Sequence, residues 1–410
     1  MIHKNIDSLL STGLSEESQQ MVFYTDEPKI HGYLCFPNEA CSTKYDTNDV
    51  FGQGYDPISS KAKIKSVGEF LERLCLSNAQ NEQFFLSYFE PNDNFVDPTI
   101  FYCYSEEQDE SKKATLERIR QEKYRWVSGI DVLRGKEVLI PAQTVFLSSD
   151  FNDEFSIRRE TMSTGAALGL INTGQALGRG LLEVIERDAC TSSYLSKRRL
   201  KRIANLDGEV KGLVDYFGRY HLEVYSFDAT TDFNVPTALT ITIDRTGIGP
   251  AVNVGSGSGF DYTSAIKHSI LESVHCRAHA RLMKDEESPN GFPKEDEIIS
   301  LKKRFYYWYP TERISYLDFW LKDGPTVDYK ALKEKRTSVK KILSGMKSRD
   351  YNVFVVDMTL PEVKRSGAET LKVIIPEAHP LYLDEKAKAL HSVHCGDIPD
   401  DPQLKPHPLT

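Results

Sequence analysis

Two distant stretches of the chain share the pattern Glu-x-x-Glu-Arg, and each time the pattern lies on an amphipathic helix. Residues 61–76 and 176–190 place apolar side chains at a period of 3.6 residues, which predicts two helices that each bury one face. The opposite faces carry the same residue types, namely Glu69, Glu72 and Arg73 in the first stretch and Glu183, Glu186 and Arg187 in the second. The fold must therefore bury two separate helices while keeping their acidic faces out of the apolar core.

Two carboxylates one helical turn apart, followed by an arginine, have two interpretations. On a lone helix they form a solvated face with ion pairs along it. Alternatively, they bind Mg²⁺, which prefers oxygen ligands and is held by a few carboxylates together with nucleotide phosphates. The neighbouring arginines would then contact phosphate directly. The repetition of the pattern favours the second interpretation.

Composition excludes several classes of protein. The 410 residues carry a formal net charge of −9 and contain no long basic stripe, which argues against a nucleic-acid phosphate binder. No apolar run approaches the roughly 18 residues of a membrane span, and the N-terminus does not resemble a signal peptide. The seven cysteines form no Cys-x-x-Cys pair, so neither a disulfide framework nor a structural zinc knuckle is indicated. We predict a cytoplasmic protein that contacts neither membrane nor nucleic acid.

The remaining patterns predict a mixed α+β fold. Residues 222–259 are rich in Val, Thr and Ile and are divided by Gly and Asp, which predicts three strands. A strand is also predicted at 98–105, a short helix at 16–22, and a long helix at 262–282.

Two groups of glycines lie next to predicted helices or strands. Gly52 and Gly54 precede the first acidic helix, where a backbone without side chains could approach a phosphate. A second group lies near residue 257 without the spacing of a known phosphate loop, and we interpret it as a structural turn. That group comprises Gly255, Gly257 and Gly259.

These motifs, taken together, resemble the YcaO superfamily. The family's first signature is similar to Gly-Glu-x-x-Glu-Arg, here residues 68–73. Another signature resembles Ser-x-Gly-x-Ala-x-Gly, here residues 163–169, followed by a helix ending Glu-x-Ile-Glu-Arg-Asp-Ala at 183–189. A third element, Glu-Ala-x-Gln-x-Arg, is similar to residues 272–277, and the resemblance runs from about residue 52 to the C-terminus.

The resemblance implies a YcaO-type α+β fold in which mixed sheets pack with helices that carry an acidic site for ATP and Mg²⁺. Residues 1–50 would form an N-terminal segment, residues 51–400 the catalytic domain, and residues 401–410 an extended tail. The implied magnesium ligands are Glu69, Glu72, Glu183 and Glu186. The implied nucleotide-binding residues are Ser163, Thr164, Gly165, Arg73, Arg187, Glu272 and Arg277. Asp188 falls on the apolar arc of its helix, which predicts a hydrogen bond to a nearby backbone group.

The proline-rich tail adds a catalytic expectation. It resembles the Pro-x-Pro-x-Pro ending of azoline-forming YcaO cyclodehydratases, which reaches into the active site. Pro406 and Pro408 match the pattern, and Thr410 stands where the third proline would be. By resemblance, these three residues are candidates for ordering the site and for proton transfer.

The resemblance thus implies an ATP-dependent cyclodehydratase that converts Cys, Ser or Thr of a ribosomally synthesised precursor peptide into azolines, the precursors of thiazoles and oxazoles, as in bacteriocin biosynthesis. The expected partners are the precursor peptide and a separate E1-like, leader-binding protein, and assembly into a homo-oligomer is compatible with the sequence. The alternative within the family is thioamidation of the peptide backbone with a TfuA-like partner.

Two further functions come from other classes. A stripe of side chains at helical spacing could bind a transition metal and would suit a metal-dependent hydrolase. The stripe consists of His268, Glu272, His275 and His279. The second alternative function is a non-catalytic nucleotide-binding scaffold. It would result if departures from the family pattern had removed activity, and these departures are Gln53, Gln175 and His275.

Overall fold

The computed structural model describes residues 9, 12–79, 84–147, 151–158, 163–287 and 291–409. The chain forms two compact units, each assembled from segments that are distant in sequence. The first comprises Met1–Val22, Ile30–Val184 and Met346–Glu377. The second comprises Phe23–Lys29, Ile185–Gly345 and Ala378–Thr410.

The regular elements with described bounds are numbered in chain order. The strands are β1 (Gln19–Gln20), β2 (His31–Cys35), β3 (Gly52–Asp56), β4 (Phe84–Tyr88), β5 (Lys123–Asp131), β6 (Lys136–Pro141), β7 (Ala166–Leu170), β8 (Lys201–Ala204), β9 (Leu222–Asp228), β10 (Thr237–Asp244), β11 (Val252–Ser258), β12 (Thr326–Asp328), β13 (Phe354–Asp357), β14 (Ala368–Ile374), β15 (His391–Ser392) and β16 (Gly396–Asp397). The α-helices are α1 (Glu39–Lys44), α2 (Ser59–Ser77), α3 (Lys112–Gln121), α4 (Gln175–Leu195), α5 (Gly208–Gly218), α6 (Tyr262–Glu287), α7 (Leu301–Tyr307), α8 (Asp318–Leu321), α9 (Tyr329–Leu332), α10 (Val339–Ser348) and α11 (Pro361–Arg365).

Two antiparallel sheets build the first unit. One has three strands in the order β1-β2-β3, and the other has the order β4-β5-β13-β14-β7, with β6 also paired to β5. The two helices predicted from the Glu-x-x-Glu-Arg pattern are present as α2 and α4. The apolar face of α2 is fully buried in the core of this unit at Phe70, Leu71 and Leu74.

The glycines of β3 allow α2 to pack against that strand at very short range. A Cβ on Gly52 would lie 2.0 Å from the carbonyl oxygen of Ser66, and one on Gly54 would lie 2.0 Å from that of Ala62. Both distances are far below van der Waals contact, so only glycine fits. The packing of α2 therefore requires these glycines, and their approach to a phosphate stays a prediction.

The second unit is organised around a five-stranded sheet with the order β11-β10-β9-β8-β12, in which only the β8–β12 pair is parallel. Helix α6 covers β11 and begins at the predicted residue, Tyr262. The glycines near residue 257 again mark the contact, because a Cβ on Gly255 or Gly257 would lie within 2.4 Å of a carbonyl oxygen of α6. The interpretation of these two glycines as a turn is therefore wrong: they lie inside β11.

Two short local predictions fail for identifiable reasons. A helix is expected at residues 16–22, but Gln19 and Gln20 form β1 because they pair with β2, and tertiary pairing overrides weak helix propensity. The strand expected at 98–105 begins instead as a 3₁₀ helix at Pro98–Phe101, whose Asp97 cap and first-turn proline are helix-start signals. In the described part of the chain, no helix combines the length and apolarity needed to cross a membrane.

Candidate active site

Three of the four predicted magnesium ligands lie close together in the first unit. Helix α2 contributes Glu69 and Glu72, and the first half of α4 contributes Glu183. Burial raises the pKa of Glu72 well above its usual range, and the negative charges of Glu183 and Glu69 raise it further. Two helices that are more than a hundred residues apart in sequence therefore bring their acidic faces to one place, as the repeated motif predicts.

Each of these carboxylates is oriented by a backbone N–H group. Glu72 accepts a hydrogen bond from Leu168 N at 3.2 Å, and Glu183 accepts one from Gly165 N at 2.8 Å. Glu69 accepts from Gln53 N at 3.0 Å and forms an ion pair with Arg73 at 2.5 Å. An ionised carboxylate offers about four lone-pair sites, so acceptor capacity is left for a cation.

The electrostatics of this group fit a divalent cation. Carboxylates that are crowded in a partly desolvated place repel one another, and protonation is one way to relieve that repulsion. A bound Mg²⁺ relieves it in another way, because a hard cation prefers several carboxylate oxygens and phosphate. The crowding that contributes to the raised pKa of Glu72 is therefore compatible with a magnesium-binding position.

A buried lysine next to the carboxylates was missed at the sequence level. Burial lowers the pKa of Lys372 to about 7, Arg158 lowers it as well, and Glu183 and Glu72 act in the opposite direction. Lys372 lies on β14 in phase with the inward-facing Ala368 and Thr370. A lysine on the apolar side of an alternating strand was the available signal, because such a side chain is rarely buried without an acidic partner.

We expect the affinity for Mg²⁺ and nucleotide to increase as the pH rises from about 6 to about 8. In acid, Glu72 holds a proton that the metal must displace, and Lys372, with a pKa of about 7, adds a repelling positive charge. Both obstacles disappear at higher pH. Calorimetric titration with AMPPCP and Mg²⁺ in buffers of different ionisation enthalpy measures both the affinity and the protons released.

Glu72→Gln is the matched control for that experiment, because it cannot ionise. Its affinity should be lower throughout and should depend less steeply on pH than that of the unchanged chain. If the two profiles are parallel, Glu72 does not titrate on metal binding and its assignment as a ligand is wrong.

Residues 163–165, which the resemblance assigns to nucleotide binding, include a glycine that forms hydrogen bonds with other parts of the chain. Gly165 has φ +87°, and a Cβ there would lie 2.1 Å from the carbonyl oxygen of Val373, so this position requires glycine. Its N–H donates to Glu183, and its carbonyl accepts from Val373 N at 2.8 Å. Ser163 and Thr164 are half-buried beside it. The segment therefore positions Glu183, and phosphate contact by Ser163, Thr164 and Gly165 stays a prediction.

In the second unit, Glu186 and Arg187 contact β11. Glu186 accepts hydrogen bonds from Ser256 Oγ and from Ser258 N, both at 2.6 Å. Arg187 lies 3.4 Å from Ser256 Oγ and 3.7 Å from the carboxylate of Glu272. Glu186 thus lies about one helical turn after Glu183 on α4, and Arg187 forms an ion pair with Glu272.

Arg277 has a different environment. Its guanidinium is almost fully buried and pairs with Glu27 at 2.7 Å and with Asp244 at 2.8 Å. It also donates to the carbonyl of Pro250 at 3.2 Å. With two carboxylates around it, this guanidinium has little positive charge left for phosphate, and its nucleotide role stays a prediction.

The described part of the tail is ordered and buried. Tyr194 donates a hydrogen bond to the carbonyl of Lys405 at 2.8 Å, and Arg304 donates to that of His407 at 2.8 Å. Pro406 and Pro408 are both buried, whereas Thr410 lies outside the described residues. A catalytic role of these three residues stays a prediction.

The histidine stripe on α6 gives no support to a metal-dependent hydrolase. His268 lies 3.4 Å from Glu272, and the rings of His275 and His279 face each other with centroids 5.2 Å apart. His279 also stacks on Phe305. Within the described ranges, these side chains do not gather three ligand atoms within 4.8 Å of one another.

Sequence comparison decides the family. Residues 51–379 match the family described as YcaO cyclodehydratase, ATP- and Mg²⁺-binding. The chain belongs to the YcaO family. Its mixed α+β fold and its cofactors, ATP and Mg²⁺, are those predicted from the motifs.

The chain is also similar to a curated relative and to solved structures that share its fold. A protein of Rhizobium leguminosarum bv. trifolii, described as an uncharacterized protein in the tfuA 3′ region, is 30% identical over 192 residues, which are 43% of this chain and 45% of the relative. A heterocyclase in complex with substrate and cofactor has a TM-score of 0.71 at 16% identity, covering 91% of this chain and 52% of the heterocyclase. The YcaO of Methanopyrus kandleri bound with AMPPCP and Mg²⁺ has a TM-score of 0.66 at 16% identity, covering 98% of this chain and 96% of the Methanopyrus chain. This chain thus matches about half the length of the Rhizobium relative and about half the length of the heterocyclase.

Proposed function

We propose that this YcaO protein is an ATP-dependent enzyme that activates a backbone amide of a peptide. The observation that carries the proposal is the crowding of Glu69, Glu72 and Glu183 in the first unit, where burial and then the neighbouring negative charges raise the pKa of Glu72. Such crowding supports a place for Mg²⁺ in a chain whose family is ATP- and Mg²⁺-binding.

The proposed roles follow from the contacts of each residue. Glu69, Glu72, Glu183 and Glu186 hold magnesium, which neutralises phosphate charge when bound. Arg73, which forms an ion pair with Glu69, and Arg187, which forms one with Glu272, contact phosphate. Lys372, which titrates near neutrality, keeps the charge around Glu183 balanced when the cation is absent.

The proposed substrate is a precursor peptide with Cys, Ser or Thr. The side-chain thiol or hydroxyl adds to the preceding amide carbonyl, and the resulting oxygen accepts the γ-phosphoryl group of ATP. Loss of phosphate then forms the C=N bond of an azoline, with ADP as the other product. The enzyme contributes positioning and charge neutralisation, because an amide oxygen is a poor leaving group until it is phosphorylated. The resemblance of Pro406 and Pro408 to the family's tail supports this product over others.

Backbone thioamidation is the second candidate, and one observation favours it. The Rhizobium relative is described by its position in the tfuA 3′ region, which supports a TfuA-like partner. In this reaction hydrosulfide adds to the amide carbon, the oxygen is phosphorylated in the same way, and phosphate leaves to give C=S. The ATP step and the acidic residues are common to both proposals.

We further propose a separate partner protein that captures the leader of the precursor peptide, of E1-like type for azolines and TfuA-like for thioamides. A cytoplasmic location suits this chemistry, since ATP and newly made peptides are both present there.

Mass spectrometry of peptides encoded beside this chain's gene tests the proposal. The peptides are incubated with the protein, ATP, Mg²⁺ and each candidate partner, with and without sulfide. Loss of one water per modified residue supports azolines, and exchange of one oxygen for sulfur supports the thioamide. Unchanged peptide masses combined with no peptide-stimulated ATP hydrolysis would contradict both.

A further inference from the structure

A second group of ligand-type side chains, in the second unit, plays no part in the proposed reaction. Asp188 on α4 meets His394 and Cys395, which form the turn between β15 and β16. A carboxylate oxygen of Asp188, Nδ1 of His394 and Sγ of Cys395 all lie within 4.8 Å of one another. These three residues form the Asp188 cluster.

The carboxylate of Asp188 is completely buried, and one of its oxygens has no hydrogen bond. Oδ1 accepts from the backbone N–H of His379 at 2.7 Å, which confirms the predicted backbone partner. Both oxygens lie 2.9 Å from Nδ1 of His394, which carries one proton at most, and Oδ2 is left without a hydrogen bond. A buried carboxylate oxygen that accepts no hydrogen bond is unfavourable, and a cation bound in the cluster would compensate it.

A metal-free Cys–His–Asp relay explains this geometry less well than a metal does. In a relay, the carboxylate and the nucleophile contact opposite nitrogens of the imidazole. Asp232 does contact Nε2, at 2.7 Å, but Nδ1 faces both Asp188 at 2.9 Å and Cys395 Sγ at 3.8 Å. Without a metal, the Nδ1 proton therefore bonds to the carboxylate and not to the thiol, and a bound metal would displace it. The carboxylate, imidazole and thiol atoms lie within 4.8 Å of one another, which suits ligands of one ion.

The surroundings of His394 are those of a metal-bound histidine. A histidine that ligates a metal through one nitrogen usually donates its other N–H to a carboxylate, which fixes the ring, and here Asp232 accepts from Nε2. Phe233 stacks on the ring with centroids 4.3 Å apart. The turn itself is held by a hydrogen bond from Cys395 N to Ser392 Oγ at 3.1 Å.

We propose that Asp188, His394 and Cys395 bind a zinc ion, with Asp232 orienting His394. A thiolate, an imidazole and a carboxylate form a ligand set typical of zinc, and three protein ligands leave a fourth position open to water or another small ligand. Cys395 is partly exposed, whereas the other six cysteines are buried, so the ion has a route from solvent. Magnesium does not compete, because a hard cation avoids thiolate.

Cobalt substitution tests the proposal independently of enzymatic activity. The full chain is stripped of metal, titrated with Co²⁺, and monitored by absorption. We expect about one cobalt per chain and a thiolate-to-cobalt charge-transfer band, displaced by Zn²⁺ but not by excess Mg²⁺. Cys395→Ala should abolish the band, and Cys103→Ala, which removes a buried cysteine outside the cluster, should leave it unchanged.

Asp232→Asn keeps the proposal testable if changes in the cluster disturb folding, since the Asp232 side chain is about half exposed. This variant should still bind one metal ion but with roughly 10- to 100-fold lower affinity. Far-ultraviolet circular dichroism of each variant checks that the chain is folded. A folded chain that gives no charge-transfer band, or a band that survives Cys395→Ala, would overturn the proposal.

Discussion

Glu183→Gln is expected to lower ATP hydrolysis on the order of 100-fold, because it removes one negative charge from the carboxylates that we propose to hold Mg²⁺. Glutamine can still accept the hydrogen bond that Gly165 N donates at 2.8 Å, so the local backbone should keep its conformation. The variant also removes one of the charges that raise the pKa of Glu72. Hydrolysis is measured at saturating ATP while Mg²⁺ is varied, and AMPPCP affinity is measured in parallel by calorimetry.

A matched control for Glu183→Gln is Glu122→Gln, which neutralises a glutamate that forms an ion pair with Arg118 on the surface of the first unit. Its activity should equal that of the unchanged chain. If Glu183→Gln retains full activity at every Mg²⁺ concentration, the magnesium assignment is wrong. Nucleotide binding by the unchanged chain without any hydrolysis, in the presence of the precursor peptide and partner, would instead favour the non-catalytic scaffold.

Arg304→Met is expected to lower the free energy of unfolding of the second unit by about 3 to 5 kcal/mol. Arg304 is completely buried, pairs with Glu385 at 2.7 Å, and donates to the carbonyls of His407 and Leu383. Methionine fills similar volume but leaves a buried carboxylate without its partner. Urea unfolding followed by tryptophan fluorescence measures the loss.

Arg245→Met is the control for Arg304→Met, because it removes an arginine from an exposed ion pair with Glu223 and should cost less than about 1 kcal/mol. Hydrogen exchange adds a local readout. The amides of Leu404, Lys405, His407 and Leu409 should exchange faster in Arg304→Met and not in Arg245→Met, since Arg304 anchors the His407 carbonyl. If the two substitutions lower the free energy of unfolding equally, the buried contacts of Arg304 stabilise the fold no more than an exposed ion pair does.

The parts of the site that could be predicted were those with a period or a motif. The helical period and the repeated acidic pattern predicted α2 and α4, and they placed Glu72 and Glu183 on the polar faces of these helices. The apolar arc of α4 placed Asp188 inside, where it accepts from His379 N. Each of these properties depends on residues within a few positions of one another, so local sequence contains the information.

Other parts could not be predicted, because they depend on which segments pack together. Gly54 and Gly257 suggested backbone freedom for a phosphate or a turn, but each lies in a strand that a helix approaches closely. Lys372 resembled an ordinary charged residue until β14 placed it beside Glu183. Arg277 matched a family motif, yet Glu27 and Asp244 neutralise it from distant parts of the chain.

The sequence by itself determined the family, the two acidic helices and the chemistry of their side chains, because periodicity and residue type are local properties. Only the tertiary structure decided which charges meet. It placed Glu69, Glu72 and Glu183 together with Lys372, and it gathered Asp188, His394 and Cys395 from positions about two hundred residues apart. The physical reason is that pKa values and ligand sets depend on distance and burial, which arise from long-range packing that no local pattern records.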